Sequence, residues 1–170
     1  MNPLNSKAHF LQLVEQNKGI IYKVSRSYGK NDEDREDLFQ EIVIQLWSAS
    51  DRYNEQFKLS TWMYRIALNV AISFYRKERK RIEAGSPIIG SMIEISDETD
   101  NPNLETNIKL LHQFINELRE LDKAMMLLYL ESKSYKEIAE ILGITETNVA
   151  TRISRVKELL KQKFSKQNQQ

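Results

Sequence analysis

The sequence predicts an all-α protein of two small helical domains, joined by a flexible acidic linker, with a helix-turn-helix in the second domain. Apolar residues recur at helical spacing through most of the 170 residues, and no stretch shows the alternation typical of strands. Residues 84–103 interrupt this periodicity with Gly85, Pro87, Gly90 and Pro102. We therefore expect domains at residues 1–83 and 104–170, with residues 84–103 as the linker.

The first domain is predicted to contain three helices. The acidic stretch 31–37 is the predicted entry to a second helix, which runs to about Ser48, and its charge suits the positive end of the helix dipole. Residues 51–59 are polar and aromatic and predict a loop, after which Ser60 is placed to cap a long helix to about Arg81. The first helix ends near Gly29, and its apolar stripe is Phe10, Leu13, Val14, Ile20, Ile21, Val24 and Tyr28. The inward residues of the long helix are predicted to be Met63, Ile66, Ala67, Val70 and Phe74.

The second domain begins with two predicted helices over residues 104–131 and then shows the signature of a helix-turn-helix. Ser134 and Glu137 have the spacing of a capping box, which marks a helix start. Gly143 can adopt the left-handed conformation that ends this helix, and Thr145 can cap the next one. The buried stripe of that last helix is predicted to be Val149, Ile153, Val156 and Leu160.

The composition excludes several classes of protein. The chain has no cysteine, so it has no disulfide framework. No apolar run approaches the length of a membrane helix, and the N-terminus lacks a signal-peptide core, so we expect a cytoplasmic protein with no membrane insertion. Neither His9 nor His112 lies in a Glu-x-x-His motif, and we predict no metal, cofactor, catalytic residue or small-molecule substrate.

The distribution of charge is more informative than the net charge of +1. Residues 1–83 contain 14 basic and 11 acidic side chains, and residues 104–170 contain 11 and 9. Residues 84–103 contain 4 acidic side chains and no lysine or arginine. Two mildly basic parts therefore flank an acidic segment.

Asp37, Gln40 and Glu41 form the first candidate site. Their i, i+3 and i+4 spacing places them on one face of the second helix. Three acceptor-rich side chains side by side favour a basic partner. An ordinary solvated helix face is the alternative.

A second candidate site mixes aromatic and basic side chains, which suits single-stranded DNA because rings stack on bases and cations hold the backbone. Alternatively, Trp62 and Tyr64 belong to the core beside a solvated basic tail. The candidate residues are Tyr53, Phe57, Lys58, Trp62, Arg65, Asn69 and Arg76.

The third candidate site is the outward face of the last helix. Short polar side chains with arginines are what base reading in the major groove requires. Two packed helices with a solvated face are the alternative. The candidate residues are Thr145, Thr147, Asn148, Thr151, Arg152 and Arg155.

Three motifs together resemble a known family. They are D-x-x-D-L-F-Q-E-x-x-x-x-L-W from Asp34, F-x-x-S-T-W-M-Y-R-I-A-x-N from Phe57, and S-Y-K-E-I-A-E-I-L-G-I-T-E-x-x-V-x-x-R from Ser134. In this order and spacing they are similar to bacterial RNA polymerase sigma factors of the extracytoplasmic-function class. The resemblance spans about residues 7–163. One departure is that Ala150 and Thr151 precede Arg152, where many relatives carry a basic residue.

The resemblance implies a promoter-specificity subunit that binds core RNA polymerase and promoter DNA. It implies that the Asp37, Gln40 and Glu41 face grips the polymerase clamp, that the second site opens and captures the minus-ten element, and that the last helix reads the minus-thirty-five element. The acidic linker would thread toward the active centre. An anti-sigma factor is a further expected partner. A stand-alone helix-turn-helix regulator is the main alternative, and an enzyme with carboxylates around residues 32–41 is a weaker one.

Overall fold

A computed structural model describes residues 6–85 and 102–167 of the chain, and these residues are helical, with short turns and no strand. They fall into two compact units, one in residues 6–85 and one in residues 102–167. The all-α prediction is confirmed. Most of the predicted linker, residues 86–101, lies outside the described residues.

The first unit contains three helices, and each of them packs against the other two. They are α1 (Lys7–Tyr28), α2 (Asp32–Ala49) and α3 (Leu59–Glu83), with a short 3-10 turn at Ser50–Arg52 after α2. Fully buried side chains from all three helices form the core, and the largest of them are Ile21, Val24, Leu38, Ile42, Leu46, Met63 and Leu68.

The connection between α1 and α2 depends on a close approach at Gly29. A Cβ atom at this position would lie 2.7 Å from Cγ of Arg35 and 2.9 Å from the carbonyl oxygen of Ser25. Asn31 then caps α2, because its side-chain oxygen accepts a hydrogen bond from the backbone N–H of Asp34 at 2.7 Å. Three acidic residues in the first turn of α2 complement the helix dipole, as the sequence predicted.

Two predictions about α3 are wrong. Ser60 does not cap the helix, which begins at Leu59 after Lys58 and has no side-chain cap. The buried face is also wider and rotated relative to the prediction, because α3 packs against both α1 and α2. Tyr64, Leu68 and Ala71 are buried, whereas three of the predicted inward residues are only half-buried: Ile66, Val70 and Phe74.

The second unit contains four helices: α4 (Pro102–Asn116), α5 (Glu120–Leu130), α6 (Tyr135–Leu142) and α7 (Glu146–Gln167). The helix predicted from Leu104 thus begins two residues earlier, at Pro102, a residue whose fixed φ suits a first helical position. Helix α7 contacts each of the other three. Fully buried core residues include Met125, Leu128, Ile138 and Ile153.

The helix-turn-helix of α6 and α7 is built as the sequence predicted. Both halves of the capping box are present, with the backbone N–H of Glu137 donating to Oγ of Ser134 and that of Ser134 donating to the Glu137 carboxylate. Gly143 has φ of +68°, the left-handed conformation that ends α6. Among the described residues, no helix is both long and apolar enough to cross a bilayer.

Candidate nucleic-acid and protein interfaces

The acidic face of α2, which we define as Asp37, Gln40 and Glu41, is exposed along its whole length. The opposite side of the helix is fixed in the core through Leu38, Ile42 and Leu46, each with no exposed surface. Nε2 of Gln45 donates to the Glu41 carboxylate at 2.9 Å. The helix is therefore anchored from behind and presents these three side chains to solvent.

Ile44 extends the acidic face by one turn, and the sequence reasoning missed it. Its side chain is 54% exposed, and it lies three residues after Glu41 and four after Gln40, which places it on the same face. Helical spacing alone could have identified it. The exposed isoleucine adds apolar area to a surface that is otherwise polar and acidic.

The loop before α3 folds against that helix through its aromatic side chains, in what we call the ring cluster: Tyr53, Phe57, Trp62 and Arg65. The Tyr53 and Trp62 rings have centroids 5.2 Å apart, and Cζ of Arg65 lies 4.8 Å from the centroid of the Phe57 ring. The Tyr53 hydroxyl donates to the Phe57 carbonyl oxygen at 3.2 Å. The structure thus brings together four of the seven residues predicted for this site.

The environment of the ring cluster is partly shielded from water. Burial, with the nearby Glu55 carboxylate as a second cause, raises the pKa of the Tyr53 phenol above its usual value. Trp62 is half-buried and Phe57 is 37% exposed, so both rings keep an accessible edge or face. Tyr64 is only 3% exposed and belongs to the core, which confirms the structural alternative for that residue.

The remaining predicted residues of this site are Lys58, just before α3, and two residues further along that helix. Lys58, Asn69 and Arg76 are exposed, and with Trp62 and Arg65 their spacing places them on one helical stripe. From Lys58 to Arg76 this stripe measures roughly 27 Å, at 1.5 Å per residue. It ends in a basic segment, where two ion pairs, Arg79–Glu83 and Arg81–Glu78, partly neutralise the cations.

The polar face of α7, which we define as Thr147, Asn148, Thr151 and Arg155, is exposed. Thr145 caps the helix, because its hydroxyl oxygen accepts a hydrogen bond from the backbone N–H of Asn148 at 3.1 Å. Thr145 thus has a structural contact in addition to any contact with DNA. The opposite side of α7 is buried as predicted, through Val149, Ile153, Val156 and Leu160.

Arg152 lies at the edge of the polar face and is held by two hydrogen bonds. Its Nε donates to Oδ1 of Asn148 at 3.0 Å, and its Nη1 donates to Oδ1 of Asp122 in α5 at 2.9 Å. The sequence analysis did not identify Asp122, which lies 30 residues away. No local pattern could have identified it, because the contact depends on how α5 packs against α7.

Each unit matches a distinct family model. Residues 13–81 match Sigma-70 region 2, and residues 108–160 match Sigma-70 region 4. Whole-chain relatives agree. SigV of Bacillus subtilis is 28% identical over 96% of this chain and 95% of its own length. SigM of the same organism is 27% identical over 86% of this chain and 89% of its own length.

The chain belongs to the RNA polymerase sigma factors of the extracytoplasmic-function class. This sigma factor is a promoter-recognition subunit that binds core RNA polymerase and promoter DNA, and sigma factors are non-catalytic DNA-binding initiation factors. The region 2 match to the first unit does not favour a stand-alone regulator.

Two solved structures have the same fold as this sigma factor. RpoE of Bartonella quintana, solved in complex with the anti-sigma factor NepR, matches with a TM-score of 0.73 at 21% identity, over 90% of this chain and 94% of that one. CnrH, solved in complex with the cytosolic domain of CnrY, matches with a TM-score of 0.67 at 19% identity, over 95% and 90%.

Proposed function

We propose that the sigma factor divides promoter recognition among three surfaces. In this proposal the acidic face of α2 binds core RNA polymerase, the ring cluster and the stripe along α3 open and hold the minus-ten element, and the polar face of α7 reads the minus-thirty-five element. Residues 1–83 would thus act as the domain for polymerase and minus-ten binding, and residues 104–170 as the minus-thirty-five domain. The chain itself would have no enzymatic activity.

The acidic face has the composition of a protein-binding surface rather than a DNA-binding one. Two carboxylates would repel the phosphate backbone, whereas they attract a basic protein surface and steer its approach. Ile44 supplies exposed apolar area on the same face. A charged rim around an apolar contact is the usual composition of protein–protein interfaces.

The ring cluster is the observation that supports the minus-ten assignment best. The 5.2 Å distance between the Tyr53 and Trp62 rings shows that the loop before α3 is folded onto the helix. In this arrangement the Trp62 and Phe57 rings remain partly accessible beside Arg65. Bases that leave a DNA duplex can stack on such rings, and each stacked base contributes about 1–3 kcal/mol. Lys58 at the start of the same stripe and Arg76 at its far end are suited to the phosphate backbone.

The polar face of α7 has the chemistry for reading a DNA duplex. Thr147, Asn148 and Thr151 are exposed within the first two turns of the second helix of the helix-turn-helix, the part that meets base edges in this motif. Arg155 is exposed one turn later and is suited to a phosphate. The face contains no aromatic side chain, which distinguishes it from the ring cluster.

The sigma factor is also proposed to be held inactive by an anti-sigma factor and to act in the cytoplasm, where polymerase and chromosome are found. Support for an anti-sigma partner comes from RpoE, a protein of the same fold solved in complex with the anti-sigma factor NepR. Exposed apolar side chains on the first unit, such as Leu11, Tyr22 and Ile44, provide surface for such a partner.

Reconstituted transcription tests the division of roles. Core polymerase with the purified sigma factor is supplied with a promoter library randomised at both elements, and the initiating promoters are sequenced. The proposal expects substitutions in the ring cluster to alter strand opening and minus-ten preference, and substitutions in the polar face to alter minus-thirty-five preference. An exchange of these effects between the two surfaces would contradict it.

A further inference from the structure

Three side chains from α5 and α7 form a chain of hydrogen bonds that ends at the polar face of α7. The Asp122 carboxylate in α5 accepts a hydrogen bond from Nη1 of Arg152, and Nε of Arg152 donates to the Asn148 amide. The Asp122 side chain is 22% exposed and the Arg152 side chain 38%, so the ion pair is partly shielded from solvent. The Lys109–Glu105 ion pair lies within α4, whereas the Arg152–Asp122 pair connects α7 to α5 and continues to a candidate base reader, Asn148.

We infer that Asp122 is a specificity-determining positioning residue: through Arg152 it fixes the orientation of the Asn148 amide and thereby the bases that α7 accepts in the minus-thirty-five element. This inference rests on the proposed role of Asn148 as a base reader. Asp122 itself need not touch DNA.

The hydrogen-bonding chemistry of arginine determines which end of the amide faces inward. A guanidinium can only donate, so the Asn148 atom that faces Nε of Arg152 must be the carbonyl oxygen. The amide nitrogen therefore faces away from Arg152 and is the group that we expect to contact a base. Since this nitrogen is a donor, it suits the acceptors of guanine, of adenine N7 or of thymine O4, and it disfavours cytosine, which offers only a donor in the major groove.

An asparagine on a helix surface would otherwise populate several rotamers and both amide orientations. Ordering such a side chain on DNA costs conformational entropy, and a side chain that is already held loses less of it. Arg152 in turn needs an anchor because its own side chain is long and flexible. The Asp122 carboxylate supplies a charge-assisted hydrogen bond from a helix packed in the core of the unit.

The test compares Asp122→Asn with Asn148→Ala in the complete holoenzyme, with selection from a promoter library randomised over the minus-thirty-five element. Asn148→Ala identifies the positions that Asn148 reads. We expect Asp122→Asn to relax preference at those same positions by about fivefold, because the neutral amide oxygen can still accept from Arg152 but lacks the charge assistance of the carboxylate, a difference of about one ordinary hydrogen bond. The double variant is expected to have the same base preference as Asn148→Ala alone, because both changes act on the same Asn148 contact. Arg152→Lys, which keeps the charge but cannot bridge both partners, is expected to act in the same way.

Glu117→Gln is the matched control. It breaks another ion pair between separate parts of the same unit, Lys163–Glu117, which does not involve the polar face, and it should leave base preference unchanged. Binding to DNA without a promoter separates positioning from damage to the fold. A destabilised unit would bind such DNA more weakly, whereas Asp122→Asn removes a negative charge and should bind it at least as well.

Three outcomes would overturn the inference. Normal preference in Asp122→Asn, together with altered preference in Asn148→Ala, would remove Asp122 from recognition and leave the role of Asn148 intact. Altered preference at positions that Asn148→Ala does not affect would show that Asp122 acts through another residue. Unchanged preference in Asn148→Ala itself would overturn both the inference and the proposed reader. If Asp122→Asn does not fold, Arg152→Lys decides by the same criteria.

Discussion

The two surfaces proposed to contact DNA differ in how their side chains are held. The ring cluster of the first unit is held by contacts between aromatic rings and one arginine, such as the 5.2 Å approach of Tyr53 and Trp62. The polar face of the second unit is held by directed hydrogen bonds that lead back to α5. Ring contacts are weakly directional and can be exchanged for a stacked base, whereas hydrogen bonds fix donors and acceptors. The first arrangement suits unpaired bases of any orientation, and the second suits a rigid duplex.

The units also differ in what they bury. Among the described residues, the buried polar side chains of the first unit are the neutral Ser25, Ser50 and Thr61, whereas the second unit buries the charged Lys123, which is 5% exposed. The second unit therefore carries an electrostatic cost that the first does not. The predictions below use these differences, beginning with the largest expected effect.

Reversing charge on the acidic face should have the largest effect. Asp37→Lys with Glu41→Lys should weaken binding to core polymerase by about 1,000-fold, since like charges placed together across an interface cost several kcal/mol. Both residues are exposed, so the fold should persist. Binding is measured by titration of labelled core polymerase, and circular dichroism checks the fold.

Glu15→Lys with Glu105→Lys is the matched control for this charge reversal. It makes the same change in net charge at two surface ion pairs, Lys18–Glu15 and Lys109–Glu105, which are worth little to stability. Unchanged affinity for polymerase is expected. Equal weakening by the two double variants would mean that net charge, not the acidic face, determines binding.

Lys123 should make the second unit more stable at alkaline pH. Burial lowers the pKa of its ammonium to about 8 from the ordinary 10.5. The folded unit therefore binds fewer protons than the unfolded chain between these values. The free energy of unfolding should thus rise with pH across this window, by about 3 kcal/mol at 1.36 kcal/mol per pKa unit. Below pH 8 the free-energy cost of burying the charged ammonium is present in full.

Lys123→Met tests this through hydrogen exchange of α5 and α7, measured from pH 7 to pH 10. The variant should gain about 1–3 kcal/mol of stability at pH 7, because an apolar side chain of similar size replaces a buried charge. The free energy of unfolding of the variant should also no longer rise with pH. The first unit should show neither effect. A less stable variant would indicate that the contacts of the Lys123 side chain outweigh its desolvation.

Trp62→Ala should impair promoter opening more than closed-complex formation, by about 1–3 kcal/mol, because a base can stack on the ring only after the strands separate. Permanganate footprinting measures opening, and Trp62→Phe, which keeps a ring, should retain most of it. Tyr22→Ala is the control, since it removes an exposed ring from another aromatic pair, with Phe39 at 4.7 Å, in the same unit. Normal opening by folded Trp62→Ala would assign Trp62 a structural role.

Arg155→Ala should have the smallest effect, and it should be uniform across promoters. Loss of one phosphate contact is expected to lower affinity for all minus-thirty-five sequences alike and to reduce the slope of log affinity against log salt by about 0.9. Asn148→Ala, by contrast, should change which sequences are preferred. If Arg155→Ala changed the sequence preference, Arg155 would be the residue that contacts bases, and the roles proposed for Arg155 and Asn148 would be wrong.

The sequence by itself determined the local structure of this protein. The Ser134–Glu137 capping box, the left-handed Gly143 and the Thr145 cap all follow from interactions within one or two helical turns, so their residue types and spacing suffice to predict them. The buried stripe of α7 and the exposed acidic face of α2 follow equally from the 3.6-residue period. Motif order was sufficient to predict the family.

Only the tertiary structure decided features that depend on what a helix packs against. The buried face of α3 is wider than its periodicity indicates because two helices cover it, and this moves Tyr64 into the core while Trp62 stays accessible. The Asp122–Arg152 contact joins residues 30 positions apart, and Lys123, next in the chain, is buried by the same packing of α5. Periodicity shows which face of a helix is buried but not which residues of two helices meet, because that depends on the distance and angle at which the helices pack.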